Sequence, residues 1–377
     1  MVDLLIQNGY VMDPAQGISE KRNVVADKGR ILECGDSRPE ARVVLDASGC
    51  IVTPGLIDFH THFYYGKTGL GCDGGAMPYT GVTAAVDAGS SGCENFEDFY
   101  RTQLSVLPIR AKAFLSCYSK GMAVPGNHED FSPSLFEPEK IGRLLRAYPD
   151  TILGFKIRIG RELMKDLRPL KAALALSDSL GELPLCVHIT NAPESLAAVA
   201  DMMRRGDIIC HVYHGTGNTV LDDRGRVLDE IREARDRGVL FDASNGNMNN
   251  SHAVTLACLE QGFFPDIIST DMTGDKFCKG RRAKSLPFIM SKYLSMGMPV
   301  LEIIRCVTQT PAAAMNEAGR LGTLAAGSCA DISILRICER KTVFEDTTGQ
   351  LYTGSMVFEP VYGIVGGKLY TCRPDCC

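Results

Sequence analysis

From about residue 51 to residue 320 the chain repeats one rhythm: a short apolar run that reads as a strand, then a longer segment with helical spacing. Strands joined by crossover helices pair in parallel, because the chain must travel back past the sheet before each new strand. Eight candidate strands end near His60, Ala88, Tyr118, Ile157, His188, His211, Ala243 and Asp271, and eight is the number that closes a (β/α)8 TIM-like barrel. Helical patterns over Glu139–Ala147, Leu167–Leu180, Ser195–Arg204, Asp229–Arg237 and Val300–Ala314 fill several of the gaps. Such a barrel carries its chemistry at the carboxyl ends of its strands.

Both ends of the chain follow a different pattern. Up to about Cys50, β-like runs such as Leu4-Leu5-Ile6, Asn23-Val24-Val25 and Val43-Val44-Leu45 alternate with turns, and Asp331–Leu335, Met356–Phe358 and Gly363–Tyr370 behave alike. Paired together they predict a small composite β-sandwich. The expected α/β architecture is residues 1–52 and 321–377 as the sandwich and 53–320 as the barrel. A chain of 377 residues suits a barrel of about 250 plus such a module.

The formal net charge of -5 gives no footprint for nucleic acid or an anionic membrane, and the partner expected is a small-molecule substrate. No run of 18 apolar residues occurs, and Met1–Gly9 lacks a signal-peptide pattern, so the sequence predicts a cytoplasmic protein, with a homo-oligomer expected. Fifteen cysteines, odd in number and irregularly spaced, read as reduced thiols. Alternation is expected to turn Cys186 and Cys210 away from the histidines beside them, which argues against cysteine ligation of zinc.

The first barrel strand runs into Leu56-Ile57-Asp58-Phe59-His60-Thr61-His62, placing two histidines two positions apart at its end. A period of two puts both rings on one face, and two neutral imidazoles are a natural chelate for zinc or a comparable cation. An isolated pair of this kind is more often structural. In the fourth strand, Ile152 to Arg158, Lys156 interrupts an apolar run where an ammonium is costly to bury. Two readings stay open: the side chain snorkels to solvent, or it loses its proton and takes up carbon dioxide, giving a carbamate able to bridge two cations. His188 and His211 end strands five and six, each explicable alone as a core histidine, and Asp271 ends strand eight, where a helix N-cap is the plain alternative. Barrel geometry aims all six residues at one volume, and one binuclear metal site explains them more economically than five separate structural accounts.

With these residues in place, Pro54-Gly55-Leu56-Ile57-Asp58-Phe59-His60-Thr61-His62 resembles the opening motif of the amidohydrolase superfamily, whose composite sandwich the terminal module also resembles. The segments Gly81–Ser90, Lys156-Ile157-Arg158 and His211-Val212-Tyr213-His214-Gly215 are similar to the dihydroorotase-related branch, often labelled adenine deaminase or deacetylase-like. The resemblance implies two divalent metal ions, zinc by default. His60 and His62 would hold the more buried ion, N6-carboxylated Lys156 would bridge, and His188 and His211 would hold the second. Asp271 would touch the first ion and shuttle protons as the catalytic acid and base. Burial and adjacent cations are expected to keep Lys156 neutral for this modification. His214 competes for the strand-six position, but His211 closes the apolar run, which leaves His214 for the substrate pocket.

Substrate signals are thinner. Arg158, two residues beyond Lys156 and on the same face, reads either as a bidentate clamp for a carboxylate or as a salt bridge to a loop. The polar stretch Ala243–His252 suits a recognition loop or an ordinary connection, with His252 a candidate substrate contact. The basic run Lys276–Lys284 reads as a lid, a subunit contact or an attractor of anions. The leading expectation is hydrolysis of an acyl group, amide or ester, from a small carboxylate-bearing molecule such as an N-acyl amino acid or acylated hydroxy acid. The alternatives are a dihydroorotase- or hydantoinase-like cyclic amidohydrolase, then an aminopurine deaminase. Retention of every expected ligand makes a non-enzymatic assembly role the weakest reading.

Overall fold

The computed structural model describes residues 1–124 and 128–372. Strands β1 (Val2–Asp13), β2 (Ile18–Asp27), β3 (Arg30–Gly35), β4 (Ala41–Asp46) and β5 (Ile51–Pro54) come from the N-terminal end of the chain. Strand β5 hands over to the barrel across Gly55, where an added Cβ would lie 2.0 Å from Thr83 Oγ1, so only glycine permits the close approach of the two backbones.

Seven barrel strands follow: β6 (Leu56–Thr61), β7 (Val82–Ala88), β8 (Arg110–Ser116), β9 (Ile152–Arg158), β10 (Leu185–His188), β11 (Ile208–Cys210) and β12 (Leu240–Asp242), paired in parallel in chain order. The eighth position, expected as a strand ending at Asp271, is a segment rather than a regular strand. Isolated parallel bridges join Ile267 to Asp242 on one side and Met272 to Thr61 on the other, closing the barrel. The physical reason is local backbone conformation: Asp271 itself has φ +52, a left-handed conformation that cannot continue a ladder.

The chain ends with β13 (Ile332–Glu345), β14 (Leu351–Val365) and β15 (Lys368–Thr371). These join the N-terminal strands in one sheet of order β15-β14-β13-β5-β1-β2-β3, with β4 parallel to β1. The first and last segments of the sequence therefore share hydrogen bonds, for instance Ser333 opposite Thr53. Leu4, Ile6, Val24, Ile31, Val52, Ile332 and Ile364 form this module's own apolar core.

All five expected helices are present, as α2 (Pro138–Ala147), α3 (Arg168–Ser179), α4 (Leu196–Met202), α5 (Asp229–Asp236) and the pair α8 (Val300–Val307) and α9 (Gln309–Ala314), with α1 (Phe96–Thr102), α6 (His252–Glu260) and α7 (Leu286–Ser295) in addition. The break between α8 and α9 falls at Thr308, whose φ -134 and ψ -78 leave the helical region. Outward residues of the barrel strands, among them Phe155, Ile157, Val187, Ile209 and Phe241, are buried under the helices, each side chain contributing about 1.5–3 kcal/mol of burial. Inward residues Phe59, Val86, Phe114, Ile208 and Ile267 fill the barrel below the site. Among the described residues no helix is long and apolar enough to cross a membrane.

Candidate metal centre

The inward face of the barrel strands builds the site in layers. His60 lies in β6 and His62 just beyond its end, and their ring centroids are 5.5 Å apart. Lys156 in β9, His188 at the end of β10 and His211 after β11 face the same space: His60 and His211 centroids lie 5.1 Å apart, and those of His188 and His211 4.4 Å. Lys156 Nζ stands 3.4 Å from His60 Nε2. Asp271 Oδ1 lies 3.2 Å from His62 Nε2 and 3.6 Å from His60 Nε2. The six residues expected from the sequence thus line one cavity of about 540 Å³.

Neighbouring groups fix the rings. His211 has φ +64, which turns its side chain back into the barrel at the strand end, and its Nδ1–H donates to the Ser244 carbonyl at 2.6 Å, leaving Nε2 with its lone pair. His62 Nδ1 meets Ser90 Oγ at 3.0 Å, while Asp87 accepts from Ser90 N and Phe63 N at 2.7 Å each. His60 Nδ1 faces Asp242 Oδ2 at 3.4 Å, both atoms buried and short of hydrogen-bond geometry. The Asp242 carboxylate behind His60 and the Ser244 carbonyl behind His211 are the arrangement that aims the other nitrogen at a cation. Burial drives the pKa values of His60, His188 and His211 well below the ordinary histidine range, keeping them as the neutral imidazoles a metal requires. Asp271 is held well below the usual carboxylate range: burial opposes its ionisation, but the His62 hydrogen bond and the neighbouring His60 and His211 outweigh it. This donor set of imidazoles, a carboxylate and a modifiable lysine fits divalent cations.

Residues 51–370 match the model of the amidohydrolase family. The chain belongs to the amidohydrolase family. It is a metal-dependent hydrolase. A protein described as a deacetylase from Enterococcus faecalis is 27% identical over 381 residues, spanning 98% of this amidohydrolase and 99% of the relative. A deacetylase from Brucella anthropi is 28% identical over 338 residues, covering 87% of this chain and 81% of its own. A solved structure described as an adenine deaminase superposes with a TM-score of 0.90 at 25% identity, covering 98% and 100% of the two chains.

Several expectations for this amidohydrolase need correction. Cys186 and Cys210 do not turn away from the site. Cys186 is two residues from His188 and so on the same strand face, and both thiols point into the barrel floor, 3.5 and 3.9 Å from Lys156 Nζ and 3.2 Å from each other. The ligand atoms of His60, Cys186 and Cys210 lie within 4.8 Å of one another, as do those of His60, His62 and Asp271. Burial pushes the Lys156 pKa down, but the protein's own Cys186, Cys210 and Asp271 outweigh burial and the net direction is up.

His214 does not reach the substrate cavity. The turn after His211 buries it completely, its Nδ1 accepting from Thr216 N at 3.3 Å, and burial lowers its pKa to about 4. His252 also lies outside the cavity, at the start of α6, packed edge-on against Tyr352 at 6.0 Å. Its backbone N–H donates to Asp346 in the β13–β14 turn, so it belongs to the contact between barrel and sandwich. Arg158 lines the cavity, but its Nη1 donates to Glu129 Oε2 at 2.7 Å, and Glu129 is buried.

Other residues at the site carried no separable signal in the sequence. Asn249, in the loop after β12, donates from Nδ2 to Asp271 Oδ2 at 3.2 Å and accepts from Thr190 Oγ1 at 2.9 Å. Lys292 in α7 donates to Asn250 Oδ1 at 2.9 Å and to Asn245, bracing the same loop from behind. Asp58 accepts from Thr270 N and Oγ1 at 3.0 and 2.6 Å, anchoring the residue before Asp271, and burial raises its pKa to about 7. His128 lines the rim. Of these, Asp58 stood inside the His60–His62 motif, and Asn245, Asn249 and Asn250 inside the polar Ala243–His252 stretch.

Proposed function

We propose that this amidohydrolase removes an acyl group, as an amide or an ester, from a small carboxylate-bearing molecule such as an N-acyl amino acid or an acylated hydroxy acid. The observation that carries the reading is the convergence of His60, His62, Lys156, His188, His211 and Asp271 on the floor of one open cavity, and the likeness to relatives described as deacetylases supports acyl release. His60, His62 and Asp271 would hold one divalent cation and His188 and His211 a second, with N6-carboxylated Lys156 shared between them; the imidazoles suit zinc. When bound, such a pair supplies a hydroxide nucleophile near neutral pH and draws electron density from the substrate carbonyl.

The protein's own groups do the rest. Asp271, kept ionised by its neighbours, accepts a proton and returns it to the leaving nitrogen or oxygen. Asn249 holds its outer oxygen so that Oδ1 stays turned toward His60 and His62. Leu70, Met122 and Leu163 give the cavity an apolar wall for the acyl chain, while Thr190, Asn191 and Asn247 offer hydrogen bonds to its polar end.

The test is elemental analysis of protein grown with zinc and bicarbonate, beside turnover of N-acyl amino acids, acylated hydroxy acids, cyclic amides and adenine. Two cations per chain with acyl release support the reading. Ring opening alone would move the function to cyclic amides. A single cation with ammonia released from adenine would replace it with deamination, the activity named for the superposed structure.

A further inference from the structure

The site cavity does not end at the metal-binding face. A second cavity of about 370 Å³ adjoins it, and the two share Asn247, Asp275 and Lys276 as common walls. The outer chamber is built from the loop after Asp271 and contains Lys279, Arg281 and Arg282. This loop is fastened at both ends. Gly274 N donates to the Leu70 carbonyl at 2.9 Å on the barrel rim, and Glu345 N in β13 donates to the Arg281 carbonyl at 2.8 Å. Arg282 locks the wall, donating to Glu345 Oε1 at 2.6 Å and to the Asn247 carbonyl at 3.2 Å.

The charges in the two chambers are differently committed. Arg158, among the described residues the only arginine lining the inner cavity, is bound to buried Glu129. Arg282 is paired with Glu345, while Asp275 accepts from Thr273 Oγ1 and keeps its negative charge on the shared wall, as Glu162 and Asp271 do in the inner cavity. Among the described residues the side chains of Lys276, Lys279 and Arg281 have no ion-pair or hydrogen-bond partner, although the chain as a whole is net negative. Lys276 lines the same cavity as His60 and Asp271, which places it where it can meet a ligand at the reaction centre. Lys276 is half-buried on the wall the two chambers share, and Lys279 and Arg281 stand exposed in the outer one, so together they attract an anion in a salt-dependent way.

We propose that the anionic subsite of this enzyme is built on Lys276 and not on Arg158, and that it opens into a chamber where Lys279 and Arg281 take a second anionic group. The substrates favoured are then acylated molecules whose leaving group is a dicarboxylate, such as an N-acyl acidic amino acid. The acyl bond lies at the histidine cluster, one carboxylate meets Lys276, and the other extends into the outer chamber. This assignment rests on the acyl-hydrolase reading for the position of the scissile bond.

N-acetylglutamate and N-acetylglutamine, used as racemates, are nearly equal in size and differ by one charge, so they isolate the second anionic contact. Binding by calorimetry and turnover are measured for both with the metal-supplemented full-length protein, and with Lys276→Met and the double variant Lys279→Met/Arg281→Met. The wild type should bind the glutamate compound about tenfold more tightly, with high salt eroding the difference. Lys276→Met should weaken both ligands, and the double variant should lose only the preference. Equal affinity for the two compounds, no measurable binding of either, or a preference that survives the double variant would overturn the proposal. Acyl release without charge preference would remove the subsite and leave the acyl-hydrolase reading; charge-selective binding without acyl release would do the reverse.

Discussion

Lys156 Nζ lies 3.5 Å from Cys186 Sγ at the barrel floor, so the residue expected to bridge two cations rests, when unmodified, against a thiol. Cys186 and Cys210 raise the pKa of this lysine against the effect of burial. Carboxylation consumes a neutral amine, and the thiols therefore oppose it in the metal-free protein. Replacing both, Cys186→Ala with Cys210→Ala, should lower several-fold the bicarbonate concentration at which half-maximal metal loading is reached. Elemental analysis across a bicarbonate series checks this, and an unchanged or increased requirement counts against it.

Lys156→Ala removes the shared ligand while leaving the imidazoles in place. The variant should lose paired metal binding, and turnover should fall by roughly a hundredfold or more. Metal content and kcat are measured together on the purified variant. Two tightly bound cations with full turnover would refute a bridging role.

Asn249→Ala takes the donor away from Asp271 Oδ2. Supporting contacts of this kind are worth about 10- to 100-fold, and the loss should fall on kcat with KM little changed, because the carboxylate is mispositioned and the cavity wall is otherwise intact. Gly246→Ala is the steric counterpart: φ is +54 and the new Cβ would lie 2.3 Å from Asp271 Oδ2. Steady-state kinetics on both variants separate the two constants. A pure KM effect would place Asn249 in substrate binding instead.

The Arg158–Glu129 pair predicts a stability effect in place of a binding effect. Arg158→Met leaves a buried carboxylate without this partner, which costs about 3–5 kcal/mol in comparable cases. The double variant Arg158→Met/Glu129→Leu should recover much of that loss, since the uncompensated charge is gone. Denaturant unfolding of the single and double variants decides the matter. A stable Arg158→Met protein with raised KM would restore the carboxylate clamp.

His214 and His252 titrate near pH 4 in the folded protein, burial being the leading cause in each, against about 6.5 in an unfolded chain. Between these values the unfolded state binds more protons, so stability is fully present above about pH 6.5 and is lost as pH falls toward 4. His252→Asn should flatten this slope by up to one proton. Thermal unfolding of the metal-free protein across that range measures it, and identical slopes for variant and wild type would show that His252 does not contribute.

The sequence by itself determined the order of the elements and the inward direction of most of the site. A period of two in β9 is enough to place Lys156 on the barrel's inner face, because side-chain direction along a strand is a local property, whereas β6 shifts register between Asp58 and Thr61, around His60. The same rule, applied to the spacing of Cys186 and His188, would have placed that thiol inside as well. Local signals also sufficed for the terminal strands, although not for the irregular eighth position, where left-handed backbone at Asp271 replaces a ladder.

What tertiary structure alone decided was partnership. Arg158 and Glu129 are 29 residues apart, Asp271 and Asn249 are 22 apart, and the Lys276 loop closes on Glu345 from the other domain's sheet. His211 enters the site and His214 leaves it because a single left-handed residue redirects the chain at the end of β11. A sequence specifies which groups can carry charge or donate a hydrogen bond. Whether a cation such as Arg158 or Lys276 remains available to a ligand depends on which opposite charge the fold brings within a few ångströms, and that distance is set by the closure of the whole barrel.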